Sequence, residues 1–363
     1  MRRALALLLM VGLLVGFIPV YGQADEAAPT LTIDQAIKQA LDNQKDLRQS
    51  ELDVQSARIA MDKAWDDNDA ALWKTYNPAT GMYVSVATGA DPQGAVYSTH
   101  STWLTKTKSY DAKVDTVVLT TYQKYFGVIT AIDNLEYQKL TSQQDTEKAR
   151  IAGLNYQVGL ATATEYDKAK MQASASQSSY TSAQQSLDQA YRSLLLYIGM
   201  AEDIRPVLDS RLQYTPVEIN DPEAMISNIA NNSPTVYSAN QAVVLAGETY
   251  GMGSSYDVDE ITKEKASLSL QSAVESMRTL TRSYYIKLKG YEDSFSSTEL
   301  ALKIAQDGQR ITKLKYDLGM ATKADLMTAE TTLSSARNTY NNLIFQHEIY
   351  NMAFNKPWAY SGS

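Results

Sequence analysis

The chain has 363 residues, which is enough for two ordinary domains or one long repeat structure. Its formal net charge of -8 argues against a nucleic-acid-binding protein, because phosphate contacts need a basic surface. It contains no cysteine and only two histidines, which excludes a disulfide framework and a thiolate metal site and disfavours a histidine-based catalytic centre. We therefore expect no enzyme, no cofactor and no metal site.

Residues 1–24 have the pattern of an export signal. Arg2 and Arg3 form a positive start, residues 4–17 form an apolar run, and Gly22-Gln23-Ala24 places small residues at a cleavage site. The apolar run is short for a membrane-spanning helix. We predict a cleaved signal peptide and an exported chain in the cell envelope, in the periplasm or outer membrane, with an uncleaved N-terminal anchor as the alternative.

Residues 25–202 are predicted to form the first of two helical repeats, interrupted by an irregular insertion at about 66–108. Proline and glycine break the pattern there, and residues 82–87 and 95–98 have the composition of short strands. Three tryptophans flank these candidate strands, at Trp65, Trp73 and Trp103. They are either interfacial aromatics or, as we favour, packed within a loop.

Residues 156–165 have the signals of a tight reversal between two long helices. Gly159 suits the left-handed position that ends a helix. Thr162 then caps the next helix, and Glu165, three residues later, completes a capping box. The long helices should therefore fold back as an antiparallel hairpin.

Residues 203–220 contain Pro206 and Pro216, which interrupt helices and predict a connector. Residues 221–357 form the second predicted repeat, and residues 358–363 form a tail. In the second repeat apolar side chains recur at alternating steps of three and four, the spacing of a coiled-coil seam. These positions are Met277, Thr281, Tyr284, Leu288, Tyr291 and Phe295.

Two further helix starts can be predicted from local signals. Thr32 and Gln35 fit a capping box, and Pro222 after Asp221 fits the first position of a helix. His347 falls in the seam of the last helix, where we expect a packed histidine rather than a ligand.

The second half of the chain repeats the first. At a shift of 160 residues, the first reversal aligns without gaps with a second one, in which Asp325 takes the place of Glu165. The matched pairs include Tyr156 and Tyr316, Gly159 and Gly319, and Thr162 and Thr322. We therefore expect two equivalent hairpin tips.

These segments resemble the TolC-like outer-membrane efflux protein family over nearly all of the mature chain. The resemblance rests on Leu31-Thr32-Ile33-Asp34-Gln35-Ala36-Ile37, Ala40-Leu41-Asp42-Asn43, Tyr156-Gln157-Val158-Gly159, Tyr316-Asp317-Leu318-Gly319 and Asp325-Leu326-Met327-Thr328-Ala329. It implies a homotrimer that builds a hollow α-helical barrel. It also implies partners at the tips: a periplasmic adaptor (membrane fusion) protein and an inner-membrane pump.

The resemblance also implies roles for single residues. The adaptor-docking tips would be Gly159, Leu160, Gly319 and Met320, and the pore constriction candidates would be Tyr316, Asp325 and Glu165. Glu165 and Asp325 can equally serve only as partners of the capping residues Thr162 and Thr322. Thr328 stands where the family can carry a second constriction acid, which weakens a cation-binding ring here.

The predicted fold class is all-α, with long antiparallel coiled-coil hairpins in two tandem pseudo-repeats. Together with the resemblance, this predicts a TolC-like α-barrel protomer with little or no β-barrel. The only non-helical interval expected inside the second repeat, at 250–260, is too short for a membrane-spanning strand pair. Contact with a membrane is therefore left open.

Two functions of different classes are consistent with these patterns. The first is a conduit component of an envelope export or efflux system. The alternative is a non-conducting coiled-coil scaffold or spacer in the envelope. A conduit needs a water-lined interior around a symmetry axis, whereas a rod packs its seams dry.

Overall fold

The structure is a computed structural model, and it describes residues 30–71, 74–77, 82–85, 92–209, 212–252 and 255–360. The predicted signal peptide at 1–24 lies outside the described residues. Most of the described chain is helical, and its strands are two or four residues long.

The first half of the chain contains four strands and four helices among the described residues. In chain order these are β1 (Thr30–Leu31), α1 (Ile33–Asn43), α2 (Lys45–Ala71), β2 (Lys74–Asn77), β3 (Met82–Ser85), α3 (Pro92–Gln157), α4 (Ala163–Ile198) and β4 (Val207–Leu208). Strands β1 and β4 pair in parallel, with Leu31 opposite Leu208. Strands β2 and β3 form an antiparallel pair.

The second half is helical throughout its described elements. These are α5 (Pro222–Asn231), α6 (Pro234–Glu248), α7 (Tyr256–Asp317), α8 (Lys323–Asn355) and a 3₁₀ turn (Pro357–Ala359). Helices α3 and α7 have 66 and 62 residues, and at 1.5 Å per residue each is about 90–100 Å long.

The prediction of a strand at 95–98 is wrong, because these residues lie inside α3. The interval between the long helices is shorter than the irregular insertion predicted at about 66–108. Helix α2 continues to Ala71, and α3 begins at Pro92. Here α3 packs against α2, and Val96 is buried. Tertiary packing thus outweighs a weak local strand preference.

The predicted helix starts are confirmed. Thr32 and Gln35 form a reciprocal capping box at α1. Asp221 caps α5 by accepting a hydrogen bond from the backbone N–H of Ala224, and Pro222 follows it. In each case a short polar side chain satisfies a helix N–H that has no intrahelical partner.

The long helices lie side by side in a defined order. Helix α3 packs against α4 and α8 along its second part, and α8 packs against α7, so the order there is α4, α3, α8, α7. Towards the other end of α3, helices α2 and α6 pack against it, and α6 packs against α7. Helices α4 and α7 are therefore the two edges near the hairpin reversals.

The main apolar core lies in the middle of the molecule and joins both halves. The rings of Phe126 on α3 and Phe345 on α8 stack with centroids 4.6 Å apart, and both are buried. His347 is 2 % exposed, with its Nε2 3.5 Å from Glu292 Oε1, as expected of a packed histidine.

Candidate functional site

The reversal between α3 and α4 is a Schellman turn. Gly159 has φ +77°. The N–H of Leu160 donates to the carbonyl of Asn155 at 2.7 Å, and the N–H of Gly159 donates to that of Tyr156 at 3.1 Å. These two bonds satisfy carbonyls that the helix end leaves without partners, and the left-handed φ favours glycine.

The reversal between α7 and α8 repeats this geometry. Gly319 has φ +73°. The N–H of Met320 donates to the carbonyl of Lys315 at 2.7 Å, and that of Gly319 donates to Tyr316 at 2.9 Å. A β-carbon at either glycine would meet no atom within 4 Å. Glycine is therefore favoured at these two positions by the left-handed backbone conformation and not by a lack of space.

Each reversal is followed by a complete capping box. At the first tip, Glu165 Oε2 accepts from the N–H of Thr162 at 2.7 Å, while Thr162 Oγ1 accepts from the N–H of Glu165 at 3.2 Å. At the second, Asp325 Oδ2 accepts from the N–H of Thr322 at 2.9 Å, and Thr322 Oγ1 accepts from the N–H of Asp325 at 3.1 Å. The threonine backbone and hydroxyl bonds lower the pKa of both carboxyl groups. Both therefore stay charged at neutral pH.

The surface at both tips is apolar and exposed. Residues 157–164 and 318–322 contain no charged side chain. The most exposed apolar side chains are Val158 (68 %), Leu160 (79 %), Leu318 (75 %) and Met320 (74 %). Large apolar side chains clustered in water mark contact sites for other molecules.

The two tips lie at the same end of the molecule. The pKa of the Glu147 carboxyl group on α3 is lowered mainly by its hydrogen bond to Arg150. The positive charge of Lys323, the first residue of α8, is close enough to lower it further. Tyr316 and Asp325 belong to one tip, together with Gly319 and Met320. Glu165 belongs to the other tip, with Gly159 and Leu160.

The first tip has an aromatic contact that the second tip cannot copy. The rings of Tyr156 and Tyr166 stack across the hairpin, 5.8 Å apart. Tyr166 also lies over Gly153, where a β-carbon would come within 3.0 Å of its ring. At the shift of 160 residues Leu326 takes the place of Tyr166, so the second tip has no matching aromatic pair.

Sequence reasoning missed the polar contacts that join the helices near the tips. Gln144 Nε2 donates to Thr328 Oγ1 at 2.7 Å, between α3 and α8. Ser142 Oγ bonds Gln177 Oε1, and Gln172 Nε2 bonds Asp145 Oδ2, both between α3 and α4. The abundance of Ser, Gln and Ala at 172–190 was the available signal for a polar seam.

Among the residues that the structure describes, no three His, Cys, Asp or Glu side chains come together as a metal site. None of the helices in this part of the chain is both long and apolar enough to cross a membrane.

The fold is similar to that of solved outer membrane channels. The Campylobacter jejuni CmeC outer membrane channel is 14 % identical, with a TM-score of 0.66, covering 90 % of this chain and 85 % of that chain. CusC, solved in a study of folding and transmembrane channel formation, is 15 % identical, with a TM-score of 0.64 and coverages of 94 % and 96 %. The outer membrane protein VceC of Vibrio cholerae is 13 % identical, with a TM-score of 0.61 and coverages of 90 % and 95 %.

No family model matches the sequence, and no curated protein matches it. The structural likeness confirms the predicted fold class of long antiparallel helical hairpins. It also confirms, at the level of the fold, the resemblance drawn from the sequence.

Proposed function

We propose that this chain is a protomer of a TolC-like export or efflux conduit in the cell envelope, and that it is not an enzyme. Its hairpin tips would dock a periplasmic adaptor protein that works with an inner-membrane pump. The observation that carries the proposal is the pair of exposed, uncharged tips, built twice by the same turn. A reversal that only joined two helices would have no need of two large apolar side chains in water, and both reversals have them.

The chemistry of the tips indicates the kind of surface that they bind. Leu160 and Met320 stand at the outermost turns, where the backbone is held by the Schellman bonds and the capping boxes. A rigid backbone presents these side chains at little entropic cost on binding. The partner surface at the adaptor would therefore be apolar and would bury all four tip side chains.

The edge helix α7 supports assembly with further copies of this chain, for which the family resemblance implies a homotrimer. Near the tip its outward side chains recur at steps of four and three, and the apolar members are 45–63 % exposed. They are Leu300, Ile304, Ile311 and Leu314, with Asp307 at the one polar position. This is a coiled-coil seam without a partner in the single chain. The other edge, α4 of a neighbouring copy, would cover it and close a ring.

In such a ring, Tyr316, Asp325 and Glu165 would lie near the narrow end of the conduit. Each carboxylate uses one oxygen for its threonine partners. The same side chain can therefore cap a helix and present negative charge to the interior.

The docking proposal is tested by crosslinking from the tips in cells. A photoreactive amino acid at Leu160 or Met320 should give a covalent product with a second envelope protein that contains a long helical hairpin. Met171 on α4, which is 67 % exposed, is the matched control and should not give this product. Products with only further copies of this chain, or none, would contradict docking.

Backbone variants separate docking from the stability of the turn. Gly159→Val and Gly319→Val should each cost about 1 kcal/mol because of the left-handed φ, and they add bulk at the tip. Thr162→Ala and Thr322→Ala also cost about 1 kcal/mol through loss of a cap, but add no bulk. The valine variants should lose crosslinking far more than the alanine variants. If all four lose it in proportion to stability, the tips are only turns.

The assembly is tested by sedimentation equilibrium of the purified protein. A mass of three chains is expected, and Ile304→Asp with Ile311→Asp should reduce it to one. Val244→Asp on α6, also an exposed position, is the control. End-on electron micrographs with an open centre support the conduit, whereas a filled centre supports the alternative scaffold.

A further inference from the structure

The segment that follows α8 crosses three helices. Residues 356–360, here called the strap, contain the 3₁₀ turn, which contacts α3, α7 and α8. Pro357 and Ala359 of this turn are buried. Five residues thus contact helices from both halves of the chain.

The first anchor of the strap is Asp115 on α3. Its Oδ1 accepts a bond from Lys356 Nζ, and its Oδ2 accepts one from Trp358 Nε1 at 2.9 Å. The Asp115 side chain is only 15 % exposed. A carboxylate so buried is costly unless its oxygens are bonded, and both of these bonds come from the strap.

The second anchor is Tyr360, which lies between α7 and α8. Its ring centroid is 5.3 Å from that of Tyr284 on α7 and 5.6 Å from that of Tyr350 on α8. The hydroxyl groups of Tyr350 and Tyr360 are 3.4 Å apart. The strap therefore links the first hairpin, through Asp115, to both helices of the second.

The helices do not close completely on one another beside the strap. A cavity of about 230 Å³ lies between α3 and α8, and Val118, Leu119 and Met352 are among the residues that line it. Its wall also includes Lys356 and Ala359 of the strap. At this level contact between the halves depends on the strap as well as on direct helix packing.

We infer that the strap is a latch that holds the second hairpin against the first. With the latch closed, Asp115 is paired and α3 and α8 are joined around the cavity. With the latch open, α3 and α8 separate locally at this level while the helices and the central core around Phe126 and Phe345 persist. A rearrangement between the two hairpins must therefore release the strap first. This inference does not depend on the proposed export function.

The latch is tested in the full chain by hydrogen exchange. The double variant Lys356→Met, Trp358→Phe removes both donors and keeps an aromatic ring and most of the apolar volume of the strap. Amides at 115–119 and 351–356 should exchange about tenfold or more faster, as expected for a local opening that leaves a buried carboxylate unpaired. Amides at 126–129 and 343–347, in the central core, should keep their protection.

A third substitution separates a latch from loose packing. Adding Asp115→Asn to the double variant removes the unpaired charge and should restore most of the lost protection. Lys106→Met, which breaks an exposed ion pair between α3 and Asp53 of α2, is the control and should change neither region. Unchanged exchange, faster exchange throughout the helices, or failure of Asp115→Asn to restore protection would each overturn the inference.

Discussion

Glu165 and Asp325 each bond to a threonine three residues earlier, and these bonds give the two hairpin tips their shape. The carboxylate accepts the N–H of its threonine, and the threonine hydroxyl accepts an N–H of the helix. The negative charge also lies in the first turn, where the helix dipole favours it. At each tip the glycine ends one helix, whereas the threonine and its acidic partner start the next. Substitutions can therefore test the helix end and the helix start separately.

The tip carboxylates should make stability depend on pH. Their pKa values are lowered in the folded chain, from ordinary values of 4.5 for Glu165 and 3.8 for Asp325. The stabilisation is therefore present above these ordinary values and is lost as the pH falls through the lowered folded values. The double variant Glu165→Gln, Asp325→Asn should be less stable than the wild type at neutral pH.

As the pH falls below the ordinary values, the two stabilities should converge. Thermal unfolding midpoints measured from about pH 7 to about pH 2 check this. A constant difference over that range would show that the carboxylate charge does not stabilise the tips.

At the scale of elements, Tyr125 connects three of them. Its hydroxyl on α3 donates to the carbonyl of Leu31 in β1 at 2.7 Å and accepts from the N–H of Asp209, just after β4, at 2.8 Å. Burial raises the pKa of Tyr125 to about 12, so the proton needed for donation is retained through the neutral range. One phenol thus fixes the short parallel strand pair against the long helix.

Tyr125→Phe should lower the free energy of unfolding by about 1–3 kcal/mol, because it removes two short hydrogen bonds and leaves the Leu31 carbonyl and the Asp209 N–H with the longer 3.4 Å bond between them. Tyr180→Phe provides the control. The hydroxyl of Tyr180 accepts a bond from Gln184 on the exposed side of α4, so its loss should have little effect. Urea unfolding of both variants measures the difference. Equal losses would show that the Tyr125 hydroxyl has no special role.

At the scale of the whole molecule, the two repeats share one core. Buried side chains from α1, α3, α4, α5, α7 and α8 belong to a single cluster. The stacked rings of Phe126 and Phe345 lie within it and cross from the first half to the second. The repeats should therefore unfold together, although each hairpin is built mainly from local contacts.

Phe345→Ala should destabilise the chain by about 3–5 kcal/mol, as is typical when a buried aromatic ring is removed. Unfolding should remain a single transition by both circular dichroism and tryptophan fluorescence. The exposed change Ile286→Ala on α7 is the control, since Ile286 is 63 % exposed in the single chain. Two separate transitions in the wild type would show that the halves fold independently.

The features predicted best from sequence are those that short segments encode. Thr32 with Gln35, Thr162 with Glu165, and the seam through Met277 and Tyr284 all depend on residues within one or two helical turns of each other. The error at 95–98 has the opposite cause. Four residues carry little local preference, and the packing of α3 against α2 decided their conformation.

The sequence by itself determined the hairpin pattern, the two reversals at Gly159 and Gly319, and the helix caps, because these follow from local backbone preferences and from side-chain periodicity. Only the tertiary structure decided that polar pairs join α3 to its neighbours and that Asp115 holds the strap. Those contacts join residues up to 243 positions apart. Their partners are set by how the long helices lie side by side, which no short segment encodes.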